Sequence, residues 1–321
     1  NNAASFIDIV FSAIFYKFIG NNRTMQEIFI QNNELIHKLD WGKLIDTFQS
    51  QETITSKEEA KTILKEKLIQ AVKLRLPTAR FGIFFSGGVD SSLIAAIAKI
   101  FHQDFTCYAV GFQDDETKEP DDITEAKKVA KKLNLNLKYK IYNLEETETI
   151  IKKTITILKK VNKTDVVNIG VGAVVLAAAE LGKEDNINYF FSGLGSEEIF
   201  AGYDRHDKVA NINHECWSGL KYMHDRDLVR DFTLAKELNI EIKTPFLDKD
   251  LIAYAMNLPG DWKIVEEKKK VILREVAEEF LGEFAWRKKK AAQYGSCFDK
   301  AISKLTRKNG FKLKKDYLDS L

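Results

Sequence analysis

The chain has 321 residues, 45% of them hydrophobic and 30% charged, a composition that is ordinary for a soluble globular protein. Its 49 basic and 47 acidic side chains leave a formal net charge of +2, so no global electrostatic field recruits nucleic acid. The three cysteines, Cys107, Cys216 and Cys297, lie far apart, which excludes a disulfide framework and a cysteine metal site and predicts a protein of the reducing cytoplasm.

Residues 1–55 are predicted to form a short N-terminal region. Their most apolar stretch, Phe6–Ile19, contains Asp8 and Lys17 and falls short of the roughly 20 apolar residues that a membrane span needs. We therefore predict a buried element rather than a membrane anchor, and no signal peptide, because a basic leader is absent. Since the chain begins at Asn1 rather than Met, one interpretation of this region is the remnant of a removed domain.

From Ser56 onward, helical and strand patterns alternate. Ser56 followed by Glu59 predicts a capped first helix. The strands that follow are predicted at Phe81–Phe85, Phe105–Phe112, Leu137–Tyr142 and Ile187–Phe191, and the helices at Ser92–Phe101, Asp122–Leu133, Glu145–Lys159 and Val171–Leu181. This alternation indicates an α/β fold with a doubly wound parallel sheet. Beyond about Gly202 the strands are expected to stop and the chain to become helical.

A glycine-rich segment, Ser86–Ser92, follows the first of these strands and opens a helix. Glycines let backbone N–H groups approach phosphate oxygens closely, and a helix N-terminus adds unpaired donors. The candidate phosphate-binding residues are Ser86, Gly87, Gly88, Ser91 and Ser92. An acid beside phosphates requires a cation between them, so Asp90 is a candidate Mg²⁺ ligand. The segment is not a Walker loop, because the GxxxxGK[ST] pattern is absent.

A second glycine-rich turn, residues 192–203, follows the fourth predicted strand and contains the acidic pair Glu197 and Glu198. The carboxyl ends of parallel strands meet at one edge of a sheet, so either glutamate is expected near Asp90. Two carboxylates from two loops suit a Mg²⁺ bridge beside phosphates. The alternative is a solvated helix start, where the helix dipole favours glutamate.

These segments resemble a known family. Ser86–Ser92 is similar to the signature of the N-type ATP pyrophosphatases, which implies cleavage of ATP to AMP and pyrophosphate. Residues 191–203 resemble the SGEGSDExFGGY motif of the C-terminal synthetase domain of asparagine synthetases. Further matches follow in family order: Leu228–Asp231 to LxRDD, Glu241–Asp248 to EARVPFLD, Lys270–Arg274 to KxxLR and Trp286–Lys289 to WRKKxG. We therefore assign residues 56–310 to such a domain and residues 311–321 to a basic tail.

The resemblance implies roles for individual residues, with ATP and Mg²⁺ as cofactors. Ser86–Ser92 would hold the pyrophosphate end of ATP, and Val110 and Gly193 would hold the adenosine part through backbone groups. Asp90 and Glu197 would be the Mg²⁺ ligands. The catalytic candidates are Lys270, Asp231 and Glu241. The lysine among them would neutralise charge on the phosphates and the acyl group, which suits a reaction catalysed mostly by positioning and electrostatics.

The sequence departs from the family pattern in three places. Leu194 stands where the family has a glutamate, Glu197 where it has an aspartate, and Phe232 where it has the second aspartate of LxRDD. These changes imply a different acyl donor or acceptor, or a weakened site. The segments Gly193–Gly195 and Ala291–Ser296 resemble the divergent branch called asparagine synthetase domain-containing proteins.

The expected partners are a small carboxylate and an ammonia or amine donor. No cysteine precedes Cys107, so the family's glutaminase half was removed or is a separate domain or subunit, or the nitrogen comes from elsewhere. Three hypotheses follow. The favoured one is an ATP-dependent amide-forming ligase. The second is a tRNA-modifying enzyme with RNA on Arg287–Lys290 and Arg307–Lys315, opposed by the lack of a motif-placed cysteine. The third is a nucleotide-binding scaffold with degraded chemistry.

Overall fold

The computed structural model describes residues 25–49, 54–101, 104–116, 118–287 and 290–321. The apolar stretch Phe6–Ile19 lies outside these described residues, as do Lys288 and Lys289 of the basic run. The expectations placed on them stay predictions.

The strands form one central sheet and two small hairpins. They are β1 (Ile30–Gln31), β2 (Glu34–Leu35), β3 (Phe81–Phe84), β4 (Phe105–Phe112), β5 (Leu137–Tyr142), β6 (Tyr189–Phe191), β7 (Glu241–Lys243), β8 (Ile264–Val265) and β9 (Lys268–Lys269). The central sheet has five strands in the order β5-β4-β3-β6-β7, and every neighbouring pair is parallel. Its carboxyl edge therefore brings the loops after β3, β4 and β6 together.

Helices connect the strands and form the C-terminal part. They are α1 (Lys38–Asp46), α2 (Lys57–Lys73), α3 (Val89–Ile100), α4 (Asp121–Leu133), α5 (Leu144–Leu158), α6 (Val166–Lys183), α7 (Ser196–Ile199), α8 (Ile212–Met223), α9 (Val229–Leu238), α10 (Lys249–Asn257), α11 (Gly260–Lys263), α12 (Val271–Leu281), α13 (Ala292–Gly295), α14 (Phe298–Lys308) and α15 (Lys314–Asp319). The predicted cap is confirmed, because the Ser56 side chain accepts a hydrogen bond from the backbone N–H of Glu59 at 3.3 Å.

The sequence correctly predicts an α/β fold with a parallel sheet, but the expectation that strands stop beyond Gly202 is wrong. β7 pairs in parallel with β6, and β8 pairs with β9 in a hairpin. β7 has only three residues and includes Glu241 and Lys243, so it lacks the apolar run that marks β3, β4 and β6. This segment is a strand because it pairs with β6 at the edge of the sheet. Its own composition would not have predicted a strand.

Side chains of β4 alternate between two buried apolar clusters on opposite faces of the sheet. Cys107 and Ala109 belong to the first cluster, whereas Tyr108 and Val110 belong to the second. Both faces are covered, as expected for a doubly wound sheet. Helix α6 is long and apolar enough to cross a membrane, with a mean hydropathy of 1.6. However, 61% of the helix is buried inside the fold, as for a core helix.

Both ends of the described chain pack against this domain. The buried Arg75 side chain bonds Glu27 at 3.0 Å and Asp248 at 2.9 Å, which joins the N-terminal region to α2 and to the segment before α10. At the other end, Tyr317 and Leu318 of α15 are buried in the second cluster. Residues 311–321, predicted to be a basic tail, thus include a packed helix.

Candidate nucleotide and metal site

The segment 86–92 turns from β3 into α3 at the carboxyl edge of the sheet. Helix α3 begins at Val89, three residues earlier than predicted, with Gly88 as its N-cap. Gly87 has φ +66°, and a Cβ there would lie 2.6 Å from the backbone carbonyl carbon of Glu125. Only glycine satisfies both constraints. The turn therefore brings backbone N–H groups and the helix N-terminus to one point, as a phosphate site requires.

The hydroxyls of Ser91 and Ser92 differ in their hydrogen bonding. Ser91 Oγ accepts from the backbone N–H of Ser86 at 3.4 Å and donates to the carbonyl of Gly88 at 3.3 Å, which holds the turn closed. Ser92 Oγ is buried and has no hydrogen-bond partner among the described residues. Because a buried hydroxyl without a partner is costly, this donor fits an oxygen ligand such as a phosphate group.

Three loops converge on the ammonium group of Lys270. Its Nζ lies 2.9 and 2.8 Å from the two carboxylate oxygens of Asp90, contacts Glu197 Oε1, and lies 3.1 Å from Ser196 Oγ. Ser196 Oγ in turn donates to Asp90 Oδ1 at 2.6 Å. Lys270 is only 1% exposed. The structure thus brings together the predicted metal ligands and the predicted catalytic lysine.

Burial and ion pairing act in opposite directions on this lysine. Burial lowers the pKa of Lys270, whereas the Coulombic attraction of Asp90 and its hydrogen bond raise it. The effect of burial is the larger one, so the pKa of Lys270 is lowered, and Asp90 and Glu197 offset only part of the desolvation of this buried ammonium. The group is a cation in a water-poor site, where electrostatic effects on a reacting group are largest.

The two carboxylates of this cluster lie close enough together to hold one divalent cation. The carboxylates of Asp90 and Glu197 already share one cation, the Lys270 ammonium, so both can reach a common point. Within the described ranges no group of three or more His, Cys, Asp or Glu side chains forms a metal site. A Mg²⁺ ion held by these two carboxylates would therefore take its other ligands from phosphate oxygens and water, as Mg²⁺ commonly does. The lysine would have to move toward those phosphates.

Two glycines allow the loops to approach this closely. A Cβ on Gly193 would lie 2.9 Å from the Cβ of Asp90, so the loop after β6 touches the segment 86–92, the candidate phosphate loop, at this residue. A Cβ on Gly202 would lie 1.8 Å from Glu197 Oε2 and 2.4 Å from Lys270 Cε. The predicted role of Gly193 in holding adenosine stays a prediction, but its position beside Asp90 is at the site.

The remaining predicted residues lie at different distances from this cluster. Val110 is buried in β4, two residues beyond Tyr108, where the register with β3 ends, so it lies at the carboxyl edge. Asp231 is buried in α9, and its Oδ1 accepts from Arg230 Nε at 2.7 Å. Burial raises the pKa of Asp231, and Arg230 opposes that effect.

Glu241 lies at the amino end of β7, the end away from the phosphate loop. Its carboxylate is paired with Lys243 Nζ at 2.8 Å, and its side chain is 58% exposed. Neither Asp231 nor Glu241 is seen to contact Asp90 or Lys270 in the described part of the chain. Their catalytic roles stay predictions, and the structure adds no contact that supports them.

The structure gives Ser196 and Arg287 contacts at the site that the sequence patterns did not assign to them. Ser196 bridges Asp90 and Lys270, and only its position directly before the acidic pair could have indicated it. Arg287, previously grouped with a basic run, donates from Nη1 to the backbone carbonyl of Ser86 and pairs with Asp122 at 3.0 Å. A cavity of about 460 Å³ lies on this side of the phosphate loop, with Trp286 and Arg287 in its wall.

Comparison with known proteins agrees with this geometry. The profile of the family described as "Asparagine synthase" matches residues 63–216 and 207–315. This chain belongs to the asparagine synthase family. The putative asparagine synthetase (glutamine-hydrolyzing) 1 of Methanocaldococcus jannaschii is 32% identical over 338 aligned positions, which cover 90% of this chain and 61% of that protein. The asparagine synthetase (glutamine-hydrolyzing) of Bos taurus is 28% identical over 277 positions, covering 82% of this chain and 47% of that protein.

The chain thus spans only part of the length of these relatives. Among solved structures, an NH3-dependent NAD synthetase from Campylobacter jejuni has a TM-score of 0.31 and 19% identity, covering 47% of this chain and 62% of that chain. A likeness this weak says nothing about function. Membership of the family makes this an ATP-pyrophosphatase-like synthetase domain, in keeping with the segment 86–92 at the carboxyl edge of the sheet.

Proposed function

We propose that this protein activates a carboxylate with ATP, releasing pyrophosphate, so that ammonia or an amine can attack the acyl adenylate. The single observation that carries the proposal is the Lys270 ammonium, buried between Asp90 and Glu197 directly beside the segment 86–92. A buried cation next to a phosphate-binding turn suits a reaction in which negative charge develops on phosphate and acyl oxygens. Family membership supports the same class of chemistry.

In this proposal the phosphate loop binds and orients ATP. Backbone N–H groups at the start of α3 would donate to phosphate oxygens, as would the Ser92 hydroxyl, which has no partner in the part of the chain that the structure describes. Arg287 holds the backbone of Ser86 and so keeps the loop in its shape. Positioning supplies much of the rate in phosphoryl and adenylyl transfer, because the bound reactants need little covalent help.

Asp90 and Glu197 would hold Mg²⁺, and the ion, when bound, would neutralise phosphate charge and orient the oxygens. Lys270 would then contribute its charge to the reacting phosphate and acyl groups rather than to the two carboxylates. The burial of Lys270 supports a site from which water would be kept away, as an acyl adenylate that must not hydrolyse requires.

The nitrogen donor would be ammonia or an amine, supplied from solution or by a separate glutaminase domain or subunit. Two relatives carry "glutamine-hydrolyzing" in their names, and this chain spans 61% and 47% of their lengths. The carboxylate need not be aspartate, since Leu194 replaces an acid of the family motif in the same turn as Ser196 and Glu197.

Binding of RNA is a weaker alternative, because several of the described basic residues proposed for it are already paired with acids of the protein. Arg287 pairs with Asp122, and Lys290 with Asp121. In the later stretch Lys314 pairs with Asp299. Side chains engaged in such pairs offer less charge to phosphate groups of a nucleic acid.

The test is a pyrophosphate-release assay with Mg²⁺ and ATP across a panel of amino acids and other carboxylates, with and without ammonium and with tRNA. We expect AMP and pyrophosphate in equal amounts, dependent on one carboxylate, and loss of both in Lys270→Met. ADP as the main product would refute the proposal. Stimulation by tRNA alone would favour the RNA-modifying alternative, and binding of ATP without turnover would favour the scaffold.

A further inference from the structure

The short helix α7 connects the metal-ligand cluster to a second, buried ionic network. Ser196 and Glu197 face Lys270 and Asp90. The next residue, Glu198, contacts Arg226 on the other side of the turn. Because Ser196, Glu197 and Glu198 are consecutive residues of one four-residue helix, a displacement of Glu198 also moves the two residues before it.

Glu198 is held by two donors. It is 1% exposed, and its Oε1 accepts from Arg226 Nη2 and from the hydroxyl of Tyr203 at 2.8 Å. Its other oxygen, Oε2, has no hydrogen-bond partner among the described residues. The carboxylate thus depends on Arg226 for a contacting cation, and a buried carboxylate that loses its cation must take up a proton, reach solvent or find a new partner.

Arg226 is itself fixed by the fold. It lies in a π-helical turn, His224–Leu228, between α8 and α9, a geometry that often marks functional sites. Its Nε donates to Asp227 at 2.7 Å, and its guanidinium lies 5.0 Å from the centre of the Tyr203 ring. Asp227 is also bound by Arg230 Nη1 at 3.2 Å. The π-helical turn thus directs the Arg226 guanidinium toward Glu198 in α7.

We infer that Arg226 is a positioning residue that holds Glu197 and Ser196 in register with Asp90, by anchoring Glu198 from behind. The inference rests on the proposed function, because Glu197 is a Mg²⁺ ligand only there. A planar, two-sided donor is suited to the task, since one guanidinium bonds Glu198 and Asp227 simultaneously. Lysine cannot make both bonds in this geometry.

The test measures metal binding directly, with Mn²⁺ as a paramagnetic substitute for Mg²⁺ and ATP present. Free and bound Mn²⁺ are distinguished by electron paramagnetic resonance, and the Mg²⁺ dependence of KM and kcat for pyrophosphate release is measured in parallel. The variants are Arg226→Met, Arg226→Lys and Tyr203→Phe. The matched control is Lys236→Met, which breaks an exposed ion pair with Glu34 elsewhere on the surface.

We expect Arg226→Met to weaken Mn²⁺ binding by about 10- to 100-fold, the usual effect of losing a residue that orients a metal ligand. Arg226→Lys should recover part of the affinity, Tyr203→Phe should lose less, and Lys236→Met should match the unaltered protein. A folded Arg226→Met protein with unchanged Mn²⁺ affinity would overturn the inference. So would an unaltered protein that does not bind Mn²⁺ with ATP.

The two proposals fail separately. Arg226-dependent Mn²⁺ binding in a protein that releases no pyrophosphate would leave the inference standing and remove the proposed function. Robust pyrophosphate release with the same metal dependence in Arg226→Met would do the reverse. If Arg226→Met does not fold, Tyr203→Phe decides, since it removes the hydroxyl that bonds both Glu198 and Arg226 but keeps the ring on which Arg226 stacks.

Discussion

Lys270 Nζ lies 2.8 Å from Asp90 Oδ2, although 180 residues separate the two in the sequence. Helix α12, which Lys270 caps, packs against α3, which carries Asp90 in its first turn. Lys270 has φ +57°, an uncommon conformation for a residue with a side chain. The fold therefore holds this lysine in place by backbone geometry as well as by charge, as expected of a site that must be preorganised.

Our first prediction concerns Asp90. Asp90→Asn should weaken binding of ATP with Mg²⁺ at least tenfold, because the amide is a poor ligand for a hard dication. The fold should persist with reduced stability, since the residue lies in the first turn of α3 at the sheet edge and Glu197 still pairs with the buried Lys270 ammonium. Isothermal titration calorimetry with ATP, with and without Mg²⁺, checks both parts.

The contrast between the two titrations is the control. Asp90→Asn should affect ATP binding less without Mg²⁺ than with it. Equal Mg²⁺-dependent affinity in the variant and the unaltered protein would remove Asp90 from the set of metal ligands.

Our second prediction concerns the close approach at Gly202. A Cβ there would lie 1.8 Å from Glu197 Oε2 and 2.4 Å from Lys270 Cε, so Gly202→Ala must displace these side chains from their present positions. We expect pyrophosphate release to fall more than tenfold, with a stability loss of about 1–3 kcal/mol from overpacking. Urea unfolding and the release assay measure the two effects.

Gly42→Ala is the matched control, because a Cβ on Gly42 in α1 meets nothing within 4 Å. Alanine in a helix interior should raise the free energy of unfolding by about 0.5–1 kcal/mol and leave activity unchanged. Full activity in Gly202→Ala would show that the site tolerates a displacement of Glu197.

Much of the sheet could be predicted from the local pattern of apolar residues. β4 and β5 are found at Phe105–Phe112 and Leu137–Tyr142, the predicted bounds, because each is a run of apolar or alternating residues that ends at a polar turn. β7 could not be predicted in this way. Its three residues gain their strand conformation from pairing with β6, a tertiary effect that a local pattern does not contain.

The candidate site could likewise be predicted only where a local sequence pattern determines it. The segment 86–92 carries its chemistry in its own sequence, and its geometry follows from a strand, glycines and a helix start. The partners of Asp231 and Glu241 do not follow from motif position. Each acid pairs with a basic residue within two positions, Arg230 and Lys243, and those contacts depend on how α9 and β7 pack.

Our third prediction concerns Lys263, which is fully buried and whose Nζ has no hydrogen-bond partner among the described residues. Burial lowers the pKa of Lys263 to about 8 from its ordinary value of 10.5. The unfolded chain thus binds this proton more tightly than the folded one, so the lysine destabilises the fold below pH 8 and its cost fades between pH 8 and 10.5.

Lys263→Met should therefore raise the free energy of unfolding at pH 7, by about 1–3 kcal/mol, and the gain should shrink as the pH rises toward 10. Urea unfolding of both proteins at pH 7, 9 and 10 measures the difference. A destabilised variant at pH 7 would show that the ammonium is satisfied inside the fold and that its burial has another role.

Our last prediction concerns Leu194 and the identity of the carboxylate. An acid in this turn can hold or deprotonate an incoming amine, whereas leucine can only shape and dry the pocket. Leu194 is half-buried and packs against the apolar core, so it does not offer a polar surface to a substrate. We expect little asparagine from aspartate, ATP and ammonium in the unaltered protein.

Leu194→Glu should raise the rate of asparagine formation. Leu194→Glu combined with Phe232→Asp should raise it further, since Phe232 stands at another position where the family has an acid. Leu194→Met, which keeps the site apolar at similar volume, is the control and should change nothing. Mass spectrometry of asparagine at saturating substrates decides the matter. Robust synthesis by the unaltered protein would mean that the missing acids are dispensable and that aspartate is the natural substrate.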